Sequence, residues 1–508
     1  MAHLDPVALG VFIALFLFVT VLGFFASRWR RGDLSQLSEW GLGGRRFGSV
    51  VTWFLLGGDL YTAYTFVAVP ALMFGAGAVG FFAVPYAAVG YVFMFLACPR
   101  MWSVARAKGY VTGADFVRGR FGSRSLALAV ALTGIVATMP YIALQLVGME
   151  VVLAGLGIHG EWPLVIAFVI LAAYTYASGL RAPAMIAVVK DLLIYATVIA
   201  AVIIIPAELG GFGKIFAAVA PGKVTLPTDA FVNPGAFSYA TLALGSAMAL
   251  FLYPHAATGV MSSSSRHAVK RNAVALPAYS IVLGLVALLG TMALAAGVKA
   301  MPQYADGFAR FGNNYAVPAL FLQMFPGWFV GLAFAAIAIG ALVPAAIMSI
   351  ACANLFTRNI YREFFKPDCT PAHESQVAKI VSLFVKAGAL VFVLEGQATT
   401  AVELQLLGGI WIIQTLPSVF LGLYTRWLHP RALLIGWMAG ILAGTAMAAA
   451  SGFKASVYVL HLGAFDLPCY AALSSLILNL AVSVALSAVL NAMPGTRSDA
   501  TLAEDYAA

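Results

Sequence analysis

The chain has 508 residues, 62% hydrophobic and only 10% charged, with a net charge of +9 and a mean hydropathy of +0.94. A soluble domain carries roughly 25% charged residues, so this chain has too little polar surface to face water; a soluble enzyme, a disordered chain and a nucleic-acid binder are excluded. Lipid is the expected solvent for most of it.

The N-terminus does not read as a cleavable signal. His3 and Asp5 precede an apolar run from Pro6 to Ala26, and Arg28, Trp29, Arg30 and Arg31 follow as a stop-transfer flank. The expectation is a retained first span with its N-terminus outside. A helix needs about 20 apolar residues to cross a bilayer. Candidate spans lie near 7–27, 50–74, 76–98, 125–157, 163–180, 184–207, 237–258, 273–298, 327–356, 379–397, 402–424, 432–452 and 470–492. They are numbered 0 to 12 here. The absence of sustained period-two alternation excludes a barrel. The expected fold is an all-α polytopic membrane protein with 13 transmembrane helices.

Most of the 29 basic residues then fall in alternate loops, among them Arg45, Arg46, Arg100, Arg118, Arg120, Arg266, Arg358, Arg426 and Arg497. That asymmetry places those loops and the C-terminus in the cytoplasm. The longest outer loops, near 208–236 and 299–326, mix apolar residues with Pro, Gly and Asn and predict short interfacial helices. The tail from Pro494 is short and polar and predicts disorder. The cysteines Cys98, Cys352, Cys369 and Cys469 show no paired spacing, so neither a disulfide framework nor a zinc site is expected.

Two spans are interrupted at corresponding places. Span 1 contains Gly57-Gly58-Asp59-Leu60-Tyr61-Thr62-Ala63-Tyr64-Thr65, with Pro70 beyond; span 6 contains Gly245-Ser246 and then Tyr253-Pro254-His255. Paired broken helices, one in each half, point to an inverted-repeat transporter with its site at the midplane. Ionisable groups within spans mark function: Asp59, Glu150, Lys190, Asp191 and Lys386. Lys386 reads as a structural residue that snorkels to the nearer end, and Glu150 as one that reaches water or a helix end. Lys190 and Asp191 lie deeper. Adjacent helical residues point about 100° apart, so the two are expected to have separate partners, with Asp59 a candidate partner for Lys190.

These stretches, with Tyr141-Ile142-Ala143-Leu144-Gln145, Ser178-Gly179-Leu180-Arg181-Ala182 and Leu355-Phe356-Thr357-Arg358-Asn359-Ile360-Tyr361, resemble the sodium:solute symporter family, and within it the bacterial monocarboxylate permeases. The resemblance covers spans 0 to 11. It implies an inverted 5+5 repeat (LeuT-like) core, with repeats at 46–207 and 237–424, an extra helix and inner loop at 1–45, two further helices at 425–493 and a cytoplasmic tail at 494–508. It also implies a symporter in a bacterial inner membrane, moving lactate, pyruvate, propionate or alanine, with no cofactor and no nucleic-acid partner.

The family's sodium site uses span 1 carbonyls, here at Thr62 and Thr65, with span 8 hydroxyls. Here the corresponding positions are Val343 and Pro344, which carry none. A span 5 lysine takes the place of sodium in some proton-coupled transporters of this fold. The expectation is therefore proton coupling through Lys190, Asp191 and Asp59, with sodium the alternative. A small carboxylate wants a few donors in an apolar pocket; the candidates are Tyr61, Thr62, Tyr64, Thr65, Gln145, Tyr253, His255, Trp411 and Gln414. The competing readings are a sodium-coupled symporter of the same family for acetate, proline or pantothenate, and a transporter-like sensor domain.

Overall fold

The computed structural model describes residues 5–29, 32–227, 229, 231–233, 235–394, 401–463, 465–493 and 498–507. Arg30, Arg31 and Arg497 lie outside them. Backbone polar groups in hydrocarbon must be satisfied within the segment, and the apolar runs accordingly form helices. These are α1 (Pro6–Phe25), α2 (Ser49–Gly58), α3 (64–76), α4 (Ala83–Lys108), α5 (Gly113–Phe121), α6 (Arg124–Gly155), α7 (Trp162–Ser178), α8 (Arg181–Glu208), α9 (Ala236–Leu250), α10 (Pro254–Met261), α11 (Arg266–Ala295), α12 (Gly327–Phe356), α13 (Pro371–Leu394), α14 (Val402–Leu423), α15 (Pro430–Ala450) and α16 (Ala471–Asn491).

Among the described residues, ten helices are long and apolar enough to span a membrane, and the bent pair α9–α10 makes eleven. The expected thirteen are therefore not reached on length alone. α7 and α2 are shorter apolar helices, because glycine or proline punctuation cuts them short. The all-α expectation also needs one correction. Val457–Leu462 (β1) and Phe465–Tyr470 (β2) form an antiparallel hairpin between α15 and α16. The loops at 208–236 and 299–326 hold the short helices Phe212–Ala218, Ala305–Phe311 and Ala316–Met324, as expected.

The bundle has a basic end. There Arg181 pairs with Glu39, Arg358 with Glu374 at 2.8 Å, and Arg118 with Glu363 at 3.0 Å. At the opposite end Glu150 pairs with Arg310 at 2.5 Å, so this carboxylate reaches a loop residue. The tail is not disordered where it is described. Residues 498–507 dock on the basic end, where Tyr506 is buried and Asp505 lies 3.0 Å from Lys108. Burial is the largest single influence on Asp505 and opposes its ionisation, but the Leu502 N–H and Lys108 together outweigh it and hold the carboxyl below its ordinary range. Nor does Lys386 snorkel. It is 1% exposed and donates to Ser382 Oγ at 2.6 Å, one turn back along α13.

The centre is set by close approach. α6 turns one face, Tyr141, Gln145 and Gly148, toward the chain between α2 and α3. This i, i+4, i+7 spacing is that of a helical stripe. A Cβ at Gly148 would stand 2.2 Å from Ala63 Cβ. Overpacking such a contact costs about 1–3 kcal/mol. Gly148→Val is expected to lower the thermal unfolding midpoint in detergent. Gly10→Val, where nothing lies within 4 Å, should leave it unchanged.

Candidate functional site

Helix α2 stops at Gly58 and helical structure resumes at Tyr64. A break of this kind frees carbonyl groups that lipid cannot satisfy. Lys190, from α8, meets them: its buried Nζ donates to the Gly58 carbonyl and to the Tyr61 carbonyl, the latter at 2.8 Å. Nζ also lies 3.1 Å from Asp191 Oδ1. The neighbours in sequence are thus partners in space, against the expectation from helical geometry. The long lysine side chain curls back to its neighbour, and Gly58 leaves the room. A Cβ there would stand 3.0 Å from Nζ and 3.1 and 3.2 Å from the two Asp191 oxygens.

Asp191 Oδ2 accepts from the Tyr279 hydroxyl at 3.0 Å, and Tyr61 donates its own hydroxyl to the Tyr279 carbonyl at 2.7 Å. The rings of Tyr61, Tyr195 and Tyr279 pack together over the pair, with Trp53 against Tyr279. Two buried charges lose several kcal/mol each in hydration, and only good geometry with added hydrogen bonds offsets that cost. Here the ammonium faces three oxygens, and the carboxylate accepts from Tyr279 on Oδ2 while Oδ1 meets the ammonium as an ion pair only.

The N–H groups of the break are already bonded. Ala63 N donates to Gln145 Oε1 at 3.1 Å, and Tyr64 N to Thr62 Oγ1 at 3.0 Å. Thr65 Oγ1 donates back to the Leu60 carbonyl. Thr62, Thr65 and Gln145 therefore brace the unwound segment. The second break lies between α9 and α10, which meet at 47°. Pro254 opens α10, so the first N–H groups of that helix have no carbonyl within it. His255 Nε2 lies 3.4 Å from Asp59 Oδ2 and so links the two breaks. Asp59 is the partner of His255, and Lys190 has Asp191. Tyr253 donates to the Gln405 carbonyl at 3.1 Å, and the rings of Tyr141, Tyr253 and His255 pack mutually at 5.2–5.5 Å between centroids. Polar atoms buried here without a hydrogen-bond partner among the described residues include Asp59 Oδ1, Asp191 Oδ1, His255 Nδ1 and the hydroxyls of Tyr64 and Tyr91.

Trp411 and Gln414 do not join this group. Trp411 Nε1 donates to Thr445 on α15 at 3.1 Å; Gln414 donates to Ser475 on α16 at 2.8 Å and accepts from Asn479 at 3.1 Å. Both bind α14 to the two C-terminal helices. On α12, Val343 and Pro344 are buried without a hydroxyl to offer, and Gly340 faces the break; a Cβ there would stand 3.7 Å from the Tyr61 oxygen. Sequence reading missed Tyr279, Tyr91 and the spacing role of Gly58. The tyrosines sit in apolar runs that give no sign of which face they occupy.

Access to the site is unequal. A cavity of about 840 Å3 opens toward the end opposite the basic one and reaches Ala68, Ala143 and Leu404. On the basic side, a cavity of only about 40 Å3 lies against Pro254 and Thr258. Lys190→Met removes the ammonium from this site and leaves Asp191 a buried charge without its counter-ion. Breaking a buried pair in this way costs about 3–5 kcal/mol. Thermal denaturation in detergent should register a larger loss for Lys190→Met than for Gln145→Leu, which orphans one N–H and costs about 1–3 kcal/mol.

Residues 40–456 match a family model described as the sodium:solute symporter family. A monocarboxylate transport permease protein of Rhizobium johnstonii is 52% identical over 97% of this chain and 99% of its own length. A Bacillus subtilis protein named as an uncharacterized symporter, YodF, is 35% identical over 85% of this chain and 86% of its own. Among solved structures, a Na+-coupled sialic acid symporter in a substrate-bound outward-open state superposes with a TM-score of 0.77 at 14% identity. It covers 98% of this chain and 100% of that one, a likeness of fold.

Proposed function

The chain belongs to the sodium:solute symporter family, and from that membership we propose that it imports small monocarboxylates together with protons. The observation that carries the coupling is the Lys190 ammonium bonded to the Gly58 and Tyr61 carbonyls. A hard cation seeks such oxygens; in this reading the ammonium replaces sodium, at the Gly58 and Tyr61 carbonyls and not at the expected Thr62 and Thr65, where the Thr62 carbonyl already accepts from the Thr65 and Phe66 N–H groups. The lack of hydroxyls at Val343 and Pro344 supports it. Proton loss from Lys190 would remove one of its three donors together with its charge and leave Asp191 uncompensated, so a proton would decide how firmly α8 is tied to the first break. Asp59, joined to His255, is the second ionisable group in this scheme.

The substrate reading rests on the 52% identical relative and on the second break. A helix N-terminus favours a negative charge. The first turn of α10 would take the carboxylate with the Tyr64 hydroxyl as a donor beside it, and His255 Nδ1 would add a second whenever a proton is shared between His255 and Asp59. Among the described residues, the groups bonded at the two breaks include no arginine, which suits one carboxylate better than two. Lactate, pyruvate, propionate and alanine fit, with acetate adjacent. In this scheme the chain crosses a bacterial inner membrane thirteen times. The basic end faces the cytoplasm, and the inverted repeats are 46–207 and 237–424. Sodium coupling is the second reading, favoured by the family itself.

Labelled lactate or pyruvate uptake into proteoliposomes separates the two. Wild-type protein should concentrate substrate under an inward proton gradient without sodium; an absolute need for sodium would overturn the proposal. Lys190→Gln should abolish proton-driven accumulation, and undiminished accumulation would remove Lys190 from the mechanism. Trp411→Phe, at a residue bonded to α15, should leave uptake within about twofold, as expected for a small change away from the site.

A further inference from the structure

The docked tail packs on α4, which contributes Cys98 and Met101 to the wall of the small cavity. That cavity is lined by Cys98 and Met101 of α4, Pro254 and Thr258 of α10, and Val419 and Phe420 of α14. Arg100, next in α4, is sandwiched between two rings. Its guanidinium carbon lies 4.6 Å from the Tyr424 centroid beyond α14 and 5.3 Å from that of Tyr506 in the tail. The same side chain donates to the Leu423 carbonyl at 3.1 Å. The Tyr506 ring also meets Phe116 of α5 edge-on at 6.4 Å and Arg120 at 5.9 Å.

Ion pairs extend the attachment. Asp499 lies 2.5 Å from Arg120 and 3.3 Å from Arg426. Asp505 lies 3.0 Å from Lys108, at the last turn of α4. Main-chain bonds complete it. Ala500 N donates to the Gly119 carbonyl at 2.8 Å, Arg426 to the Thr501 carbonyl at 3.1 Å and Arg266, at the start of α11, to the Ala507 carbonyl at 2.5 Å. Ten residues thus tie together α4, α5, α11 and the end of α14. Three of these elements wall the cavity or abut its wall, and the cavity is about 40 Å3 where the opposite one is about 840 Å3.

We infer that residues 498–507 are a strap that holds the basic-end passage shut and must let go of α4 before that passage opens. A separate pull on one contact does not free it, because aromatic stacking, ion pairs and main-chain bonds act on the same short segment. Cation–π contacts are strengthened by desolvation, and Tyr506 is 6% exposed.

Cys98, itself in the cavity wall, reports on opening. With Cys352, Cys369 and Cys469 replaced by alanine, membranes are treated with membrane-permeant N-ethylmaleimide and the labelling rate of Cys98 is followed. Tyr506→Ala should raise that rate roughly tenfold, the factor that corresponds to about 1.4 kcal/mol. The variant Asp499→Asn/Asp505→Asn, which removes the ion pairs and keeps the ring, should also raise it. Tyr506→Phe keeps the ring and should label at the parent rate. Unchanged labelling in either the Asp499→Asn/Asp505→Asn variant or Tyr506→Ala would overturn the strap. The readout needs neither substrate nor coupling ion, so its failure is distinct from failure of the proposed transport function.

Discussion

A broken helix in a membrane leaves carbonyl oxygens with no water to bond, and this constraint organises the centre of the molecule. The chain answers it with a cation on a neighbouring helix. Lys190 satisfies Gly58 and Tyr61, Asp191 balances Lys190, and Tyr279 donates to Asp191. Each step removes the deficit left by the one before. The same logic runs on the N–H side, where Gln145 and Thr62 serve the break from within protein. The unwound segment is a polar object enclosed by apolar helices, and its shape is fixed by side chains on α6 and α8.

Glycine makes this enclosure possible at two points. Gly58 leaves space for an ammonium and a carboxylate side by side, and Gly148 lets α6 come within contact of Ala63. α6 accordingly has two duties. Its Tyr141, Gln145 and Gly148 stripe grips the break, whereas Ala143, Val147 and Glu150 line the large cavity. One helix therefore connects the approach route to the segment that holds the charges, and its tilt would alter both.

Much of this was legible in the sequence. Gly57-Gly58-Asp59 and Tyr253-Pro254-His255 stand out because polar and helix-breaking residues are costly within an apolar run. Lys190 and Asp191 stand out for the same reason. What the pattern could not convey was direction. Lys190 and Asp191 looked divergent on an ideal helix, yet a four-carbon side chain bends further than helical spacing suggests. Trp411 and Gln414 share a helix with residues near the site but turn toward α15 and α16, because the rotation of α14 is set by packing with distant chain. The tail carries no periodicity at all. Its docking depends on Arg100, Arg120 and Lys108, which are hundreds of residues away and are arranged by the fold.

Helix α12 is buried almost throughout its thirty residues. On one flank its Gly331 lies so near α1 that a Cβ would stand 2.3 Å from the Ala8 oxygen; on another, Gly340 faces the Tyr61 carbonyl. Farther along, Ser349 accepts from Ser382 of α13. Pressed on all sides, α12 offers a fixed reference for the bundle and can be taken as its axis. Motion of any other helix is then best expressed as displacement from this axis. Spectroscopic probes paired across the molecule would be most informative with one member anchored on it.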